Sequence, residues 1–267
     1  MICTPIARRW HVVIGICAVA GMLAAYTALS YLQHVRNPED TTMPTWSQMA
    51  DGMMKVTTPD RGGNRWIVVD AWATAYRLVA GLAVGIFFAV VLGVLMGCFA
   101  TIEAIFIPPL SLLAKIPPTA ALAVFFVMVG TNTEMYVTMI AFGVLPVLAQ
   151  AVYLAVKEVP EELIHKGYTL GASHAEIIWN VILRFIFPKI LDNVRLQIGP
   201  AMVYLIAAEM MVGHEGFGYR VRLQSKLLNM NVVYPYLAVL ATVGYAVDHG
   251  LRFLQTRVCP WYGEEGR

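Results

Sequence analysis

The sequence predicts an all-α fold, a polytopic transmembrane helical bundle of about six spans. Of its 267 residues, 58% are hydrophobic and only 13% are charged, whereas a soluble domain carries about 25% charged residues. Six apolar runs each have close to the number of residues that an α-helix needs to cross a bilayer. We place these runs at about 11–32, 72–98, 108–129, 135–156, 192–213 and 232–254.

The first apolar run follows Arg8 and Arg9, as the hydrophobic core of a signal peptide would. It exceeds the ~7–15 residues of such a core, so we expect a retained span. Lys and Arg are more frequent in the segments that this count places inside, which favours cytoplasmic N- and C-termini. The expected divisions are an N-terminal tail and first span (1–33), an external segment with a surface helix (34–71), a transmembrane core (72–255) that includes a loop at 157–190, and a cytoplasmic tail (256–267).

The external segment contains the candidate surface helix. Pro44 and Thr45 precede Trp46, and several methionines follow it at helical spacing. Such an amphipathic pattern is typical of a helix that lies on a membrane surface. A plain connector is the alternative.

Small residues and prolines mark two of the spans. The second run contains two G-x3-G patterns, which allow helices to approach closely, at Gly81, Gly85, Gly93 and Gly97. The third run contains Pro117 and Pro118, which remove backbone donors and predict a bend or break. Broken helices at membrane depth are tolerated where they face protein or a water-filled cavity.

Residues 157–190 are the longest stretch that cannot lie in a bilayer. Their pattern predicts a helix, a glycine break and a second helix. A charged, helix-compatible stretch begins at Glu161, and Gly167 and Gly171 are expected to interrupt it. Apolar residues then recur at helical spacing, and Pro188 should end or kink the second helix.

This loop resembles the cytoplasmic loop of ABC importer permeases. Thr169-Leu170-Gly171-Ala172-Ser173 matches the family pattern closely, and Ile177 and Pro188 fall at the family spacing. His165-Lys166-Gly167 stands where the family has EAA, and Arg184 stands where a first Pro is usual.

Other segments carry the same resemblance, in the same order along the chain. TAYRLVAGLAVGI resembles the family's second core helix, and Lys115-Ile116-Pro117-Pro118 resembles its basic-x-Pro-Pro segment. AAEMMVGHEGFGYRV resembles the end of its fifth helix. Together the matches cover most of residues 44–255 and are closest to permeases of the sulfonate, taurine and nitrate uptake group.

The resemblance implies a type I ABC importer permease in the inner or plasma membrane. It implies a second copy of the chain, cytoplasmic ATPase subunits that bind ATP and Mg²⁺, an external solute-binding protein and no cofactor on the chain itself. Membrane lipid would surround the spans, and a net charge of +2 does not favour nucleic acid as a partner. The implied substrate is a small anion or zwitterion such as nitrate, taurine or an alkanesulfonate. The residues implied to couple to the ATPases are Glu162, His165, Thr169, Leu170, Gly171, Ala172, Ser173 and His174.

Five residues are candidates for the translocation pathway, namely Arg77, Lys115, Pro117, Pro118 and Glu209. An intramembrane lysine is costly unless it faces water or a partner, and an ammonium that lines a route favours anions. Two alternatives stay open. Arg77 can be a structural charge near the outer boundary, and Lys115 can pair with a carboxylate or with carbonyls that the prolines free.

The sequence contains no motif that indicates an enzyme. It has no GxxxxGK(S/T) phosphate loop and no HExxH pair, so ATP hydrolysis would come from a partner subunit. Four scattered cysteines without CxxC spacing favour buried thiols over a metal site. The alternative to an importer permease is a self-sufficient secondary carrier that uses intramembrane charges for ion coupling. A membrane scaffold or enzyme subunit is a third option.

Overall fold

A computed structural model describes residues 8–38, 40–59 and 62–263. Every regular element in these ranges is helical, which confirms the predicted all-α class. The eleven α-helices of the described ranges are α1 (Arg8–Arg36), α2 (Trp46–Thr57), α3 (Trp66–Cys98), α4 (Ala100–Leu113), α5 (Leu122–Val129), α6 (Thr133–Lys157), α7 (Glu161–Thr169), α8 (His174–Ile177), α9 (Leu183–Val212), α10 (Phe217–Lys226) and α11 (Met230–Val258). A π-helical turn, Ile178–Ile182, joins α8 to α9, and a 3₁₀ turn, Pro260–Gly263, follows α11.

The chain divides into two compact units. One comprises the described residues up to Trp66 together with Val221–Leu237. In this unit the expected helix after Thr45 is present as α2, and it begins with a capping box in which the Thr45 and Gln48 side chains each accept the other's backbone N–H. The Trp46 indole N–H also donates to the Thr27 hydroxyl at 3.0 Å, which fastens α2 to α1.

The second unit comprises Ile67–Arg220 and the described residues from Ala238 onwards. Its core forms where α6 packs along α9, with α4 and α5 against α6. The glycines of α3 lie against α6: a Cβ at Gly93 would stand 2.6 Å from the carbonyl oxygen of Ala149, and one at Gly97 would stand 2.5 Å from Cβ of Val156. The predicted close packing through the G-x3-G patterns is therefore confirmed.

Four helices of the described residues are long and apolar enough to cross a membrane, and a fifth span is counted if the bent pair formed by His174–Val212 and α10 is one crossing. The predicted third span, 108–129, is not one helix. It consists of the end of α4, an irregular segment at 114–121 and α5. Pro117 and Pro118 lie in the irregular segment, as their missing backbone donors predict. Pro108 and Pro109 instead lie inside α4, which begins eight residues before the expected start of this span.

The 157–190 loop also differs from two expectations. Gly167 does not interrupt α7 but lies inside it, where a Cβ would stand 3.2 Å from Cγ1 of Ile177, so the missing side chain leaves room for that residue. Pro188 does not end the second helix. It is buried inside α9, and its carbonyl accepts the Gln255 amide at 3.1 Å. Burial of the ring and this contact with α11 add stability that offsets the cost of a proline inside the helix.

Candidate functional site

The turn at residues 170–173 in the 157–190 loop is held by the end of α7. The Gly171 N–H donates to the Tyr168 carbonyl at 3.0 Å, and the Ala172 N–H donates to the Gly167 carbonyl at 3.1 Å. This pair of bonds is the Schellman arrangement that closes helix C-termini. Gly171 has a φ of 85°, a conformation that glycine adopts without the steric cost of a Cβ.

The same turn is held from its other side by the start of α8. Ser173 and Glu176 form a capping box: the Ser173 N–H donates to Glu176 Oε2 at 2.8 Å, and the Glu176 N–H donates to the Ser173 hydroxyl at 3.4 Å. These bonds from Ser173 hold the pKa of the Glu176 carboxyl below its usual value. The rings of Tyr168 and His174 meet edge to face across the turn at 5.4 Å. Two helix ends therefore fix the turn within ten residues.

The tip of this turn presents an apolar side chain to the outside. Leu170 is 87% exposed, and the other predicted coupling residues are exposed too, except for the half-buried Ala172. Below the tip, Ile177 is buried in the core. The loop therefore ends in a fixed turn that exposes one large apolar side chain.

Ion pairs secure the base of the loop. The Lys157 ammonium lies 2.8 Å from the Glu103 carboxylate at the start of α4, and the Tyr153 hydroxyl donates to the same carboxylate at 2.7 Å. Lys189 pairs with Glu158, so residues near the two ends of the loop are joined directly. The base of the loop is thus joined to α4, α6 and α9.

A separate cluster of polar side chains lies along the N-terminal part of α3. The Asp70–Glu209 cluster consists of Asp70, Thr74, Arg77, Glu209 and Arg220. Glu209 on α9 is fully buried, and it accepts hydrogen bonds from Arg77 Nη1 at 2.9 Å, from the Thr74 hydroxyl at 3.0 Å and from the Gly218 N–H at 2.9 Å. A buried charge is tolerated when it is paired and hydrogen-bonded in this way.

The cluster also fixes the turn between α9 and α10, residues 213–216. Asp70 accepts the Gly216 N–H at 3.0 Å and the Arg220 Nε–H at 2.8 Å. The Thr74 hydroxyl accepts the Phe217 N–H at 3.0 Å. Gly216 has a φ of 111°, and a Cβ there would overlap the Glu209 carboxylate. The end of α3 and this turn are therefore joined through side chains on one and backbone donors on the other.

Of the five pathway candidates, the structure brings together Arg77 and Glu209 as an ion pair. Arg77 also lies 4.4 Å from the ring centre of Tyr136 and donates to the Glu215 carbonyl. The sequence reasoning missed the partners Asp70, Thr74 and Arg220, because it began the second span at Trp72 and left Asp70 outside. The requirement that an intramembrane charge have a partner is the signal that could have found them.

The other three candidates lie in the irregular segment 114–121. Lys115 is exposed, and no carboxylate of the residues that the structure describes forms an ion pair with it. Pro117 is exposed, and its carbonyl accepts the N–H groups of Ala120 and Ala121. Pro118 is buried against α6, since a Cβ at Gly143 would stand 2.8 Å from Pro118 Cγ.

Residues 78–259 match the family described as binding-protein-dependent transport system inner membrane component. The match covers more than half of the chain, and the chain belongs to this family. It is the permease subunit of an ABC importer, as the resemblance of its loop and helix motifs implied. The hypotheses of a self-sufficient carrier and of a membrane scaffold are therefore not retained.

Individual relatives agree with this assignment. The chain is 27% identical over 260 residues to the taurine transport system permease protein TauC of Escherichia coli (strain K12), covering 97% of this chain and 93% of that protein. It is 22% identical to the nitrate import permease protein NrtB of Synechocystis sp., covering 75% of this chain and 74% of that one. Among solved structures, an inward-facing form of the MetNI methionine ABC transporter matches with a TM-score of 0.60 and 19% identity, covering 77% of this chain and 95% of that chain. That similarity shows the fold.

Proposed function

We propose that this permease forms, with a second copy of itself, the pathway for a small anion or zwitterion of the taurine, alkanesulfonate or nitrate class. An external solute-binding protein delivers the substrate, and two cytoplasmic ATPase subunits, which bind ATP and Mg²⁺, drive the movement. The similarity to the taurine permease over nearly the whole chain supports the substrate class. The exposed tip of the 157–190 loop is the observation that carries the coupling role.

The loop transmits the motion of the ATPases. Leu170 and the backbone of Gly171 and Ala172 dock in a groove of the ATPase, and Glu162, His165, Thr169, Ser173 and His174 border that contact. Because the turn is fixed by its two helix ends, it moves as one body instead of deforming. Its base is paired with α4 through Lys157 and Glu103, and the helix from His174 to Val212 is continuous, so a push at the tip reaches the core helices.

The pathway passes the irregular segment 114–121. Non-helical backbone at membrane depth is tolerated where it lines protein or water, and a lysine facing lipid costs at least about 3 kcal/mol. Lys115 is exposed and forms no ion pair with the described residues, which supports a position in a wet route that attracts anions. Pro117 and Pro118 keep that route open. Arg77 and Glu209 contribute indirectly, because their pair holds α3 to α9 beside it.

We infer the orientation of the chain in the membrane from the excess of Lys and Arg in the segments placed inside. Both termini, the 157–190 loop and the 256–267 tail are cytoplasmic, and residues 34–65 with α2 are external. Cysteine labelling from outside should reach a probe at Asn64 and miss one at His174. The opposite pattern of labelling would invert this topology and remove the ATPase-docking role of the loop.

Uptake by proteoliposomes tests the substrate and the pathway together. The permease is reconstituted with its ATPase and binding protein, and ATP-dependent uptake of taurine is compared with that of nitrate. Lys115→Met should assemble normally and import the anion several-fold more slowly, whereas Lys115→Arg should retain more of the rate because it keeps the charge. Equal uptake by the Met and Arg variants would remove the electrostatic role, and failed assembly of Lys115→Met would assign the lysine a structural one.

A further inference from the structure

A cavity of about 370 Å³ lies between α9 and the last turns of α11. Its polar lining includes Asp192, Arg195, Arg252, Gln255, Thr256 and Tyr262. A neighbouring cavity of about 320 Å³ shares Asp192 and Tyr262 with it and adds Lys189. None of these residues belongs to the tip of the 157–190 loop or to the proposed pathway. Lys189, which pairs with Glu158 at the base of that loop, is the residue that the neighbouring cavity shares with it.

One cation of the cavity has no carboxylate partner among the residues that the structure describes. Arg195 is already paired with two carboxylates: its Nε–H donates to Asp248 at 2.9 Å, and its Nη1–H donates to Asp192 at 3.2 Å. Arg252 forms no ion pair with any residue in the ranges that the structure describes. A guanidinium offers a planar fork of donors that fits the oxygens of a phosphate. The other polar groups of the lining are already hydrogen-bonded, since Gln255 donates to Pro188 and Thr256 donates to Phe253, so the Arg252 guanidinium is the donor that suits a phosphate group.

The position of the cavity relates it to the membrane. Asp192 and Arg252 lie at the ends of the predicted spans 192–213 and 232–254, where both helices leave the hydrocarbon. Next to the cavity, α11 and the 3₁₀ turn expose large apolar side chains, among them Leu254 and Trp261. Tryptophan is enriched at the interface between lipid and water. A phosphate that enters here would therefore meet an apolar surface beside it, as a phospholipid requires.

We propose that this cavity binds the phosphate of an anionic phospholipid headgroup, with the Arg252 guanidinium as the donor and the acyl chains against the apolar side of α11. Basic pockets between helices on the cytoplasmic side are typical sites for such headgroups. The site rests on the cytoplasmic placement of the C-terminus. Because Gln255 in its lining donates to the Pro188 carbonyl, the headgroup would lie at the joint between α11 and the helix that leaves the 157–190 loop.

Native mass spectrometry of the full-length permease, released from bilayers of phosphatidylglycerol and phosphatidylcholine, tests the site. The wild-type chain should retain phosphatidylglycerol in preference to phosphatidylcholine. Arg252→Gln should retain roughly fivefold less, as expected for one basic group near the surface, and Arg252→Lys should fall between the two. The matched control is Arg257→Gln, an exposed arginine of the same helix that stacks on Phe253 outside the cavity, and it should bind as the wild type does.

Three results would overturn the proposal. Unchanged retention by Arg252→Gln would show that the cavity does not hold the headgroup, and an equal loss in Arg257→Gln would reduce the effect to general attraction between a basic surface and anionic lipid. Binding of inorganic phosphate that depends on Arg252 in phosphatidylcholine alone would make the occupant a free ion. The assay uses neither ATP nor substrate, so a failure of the transport assignment would leave its result unaffected.

Discussion

Two of the turns that join consecutive helices in this chain are held in opposite ways. The 170–173 turn is fastened by bonds between residues 167 and 176 and is exposed. The 213–216 turn depends on partners far away in the sequence: Gly216 donates to Asp70, 146 residues away, and Phe217 donates to Thr74, 143 residues away. These partners are buried.

Under the proposed coupling mechanism, this difference separates a turn that moves with the ATPases from a turn that must stay in place. A turn held by its own neighbours keeps its shape whatever the rest of the bundle does, so it can carry force between subunits. A turn held by buried ion pairs exists only while α3 is docked, and an unpaired member of the cluster stays desolvated. Changes in the Asp70–Glu209 cluster should therefore affect stability most, and changes in the 170–173 turn should affect coupling with little loss of stability.

The largest expected effect is that of Arg77→Met. It leaves Glu209 buried without its cation, which typically costs about 3–5 kcal/mol when one partner of a buried pair is removed. Thermal unfolding in detergent should show a large fall in the midpoint. The double variant Arg77→Met/Glu209→Met removes both charges, so its loss should be smaller than the sum of the two single losses.

Arg65→Met is the control for this experiment, because Arg65 is exposed and forms no ion pair with the described residues. It should unfold close to the wild type. If Arg77→Met and Arg65→Met unfold alike, the buried pair contributes nothing and the contrast between the two turns fails.

The sequence was informative where the signal is local. The Pro117–Pro118 pair predicted the break at 114–121, and the helix–glycine–helix pattern predicted the 170–173 turn. The G-x3-G patterns predicted a close helix approach, and the structure shows that the partner is α6. It was uninformative about the cluster, because no local pattern shows that Asp70 meets Arg220, 150 residues away. The five-residue match at Thr169–Ser173 and the other family motifs indicated function before any contact was known.

Its errors have one physical cause. Gly167 was expected to interrupt a helix and Pro188 to end or kink one; Gly167 lies inside α7, and α9 continues past Pro188. A glycine in a helix costs about 1 kcal/mol relative to alanine and a proline about 3, amounts that burial of neighbouring side chains can exceed. Propensity predicted the breaks correctly only at Gly171 and at Pro117–Pro118, where packing does not oppose it.

A smaller effect is expected to separate Gly216 and Gly171, the positive-φ glycines of the two turns. Gly216→Ala should destabilise by about 3 kcal/mol, since the strain of φ at 111° adds to overlap with the Glu209 carboxylate. Gly171 has a φ of 85°, but the space around an added Cβ is open. Gly171→Ala should therefore lower the free energy of unfolding by only about 1–2 kcal/mol. The measurement is the difference between the two unfolding free energies in denaturant. A larger loss for Gly171→Ala would mean that the exposed turn, and not the buried one, depends on its surroundings.

The smallest effect on stability, joined to a large effect on function, is expected for Gly171→Arg. No atom lies within 4 Å of the Cβ position, so the arginine can point outwards and its strain should match that of Gly171→Ala. In the complex, however, the longer side chain would hold the turn away from the ATPase groove. ATP hydrolysis should then no longer respond to the binding protein, and uptake should fall to background, while Gly171→Ala retains most of both. Because the two variants share their backbone strain, any difference between them reports on the docking surface alone. Normal uptake by Gly171→Arg would show that the tip of the loop does not contact the ATPase.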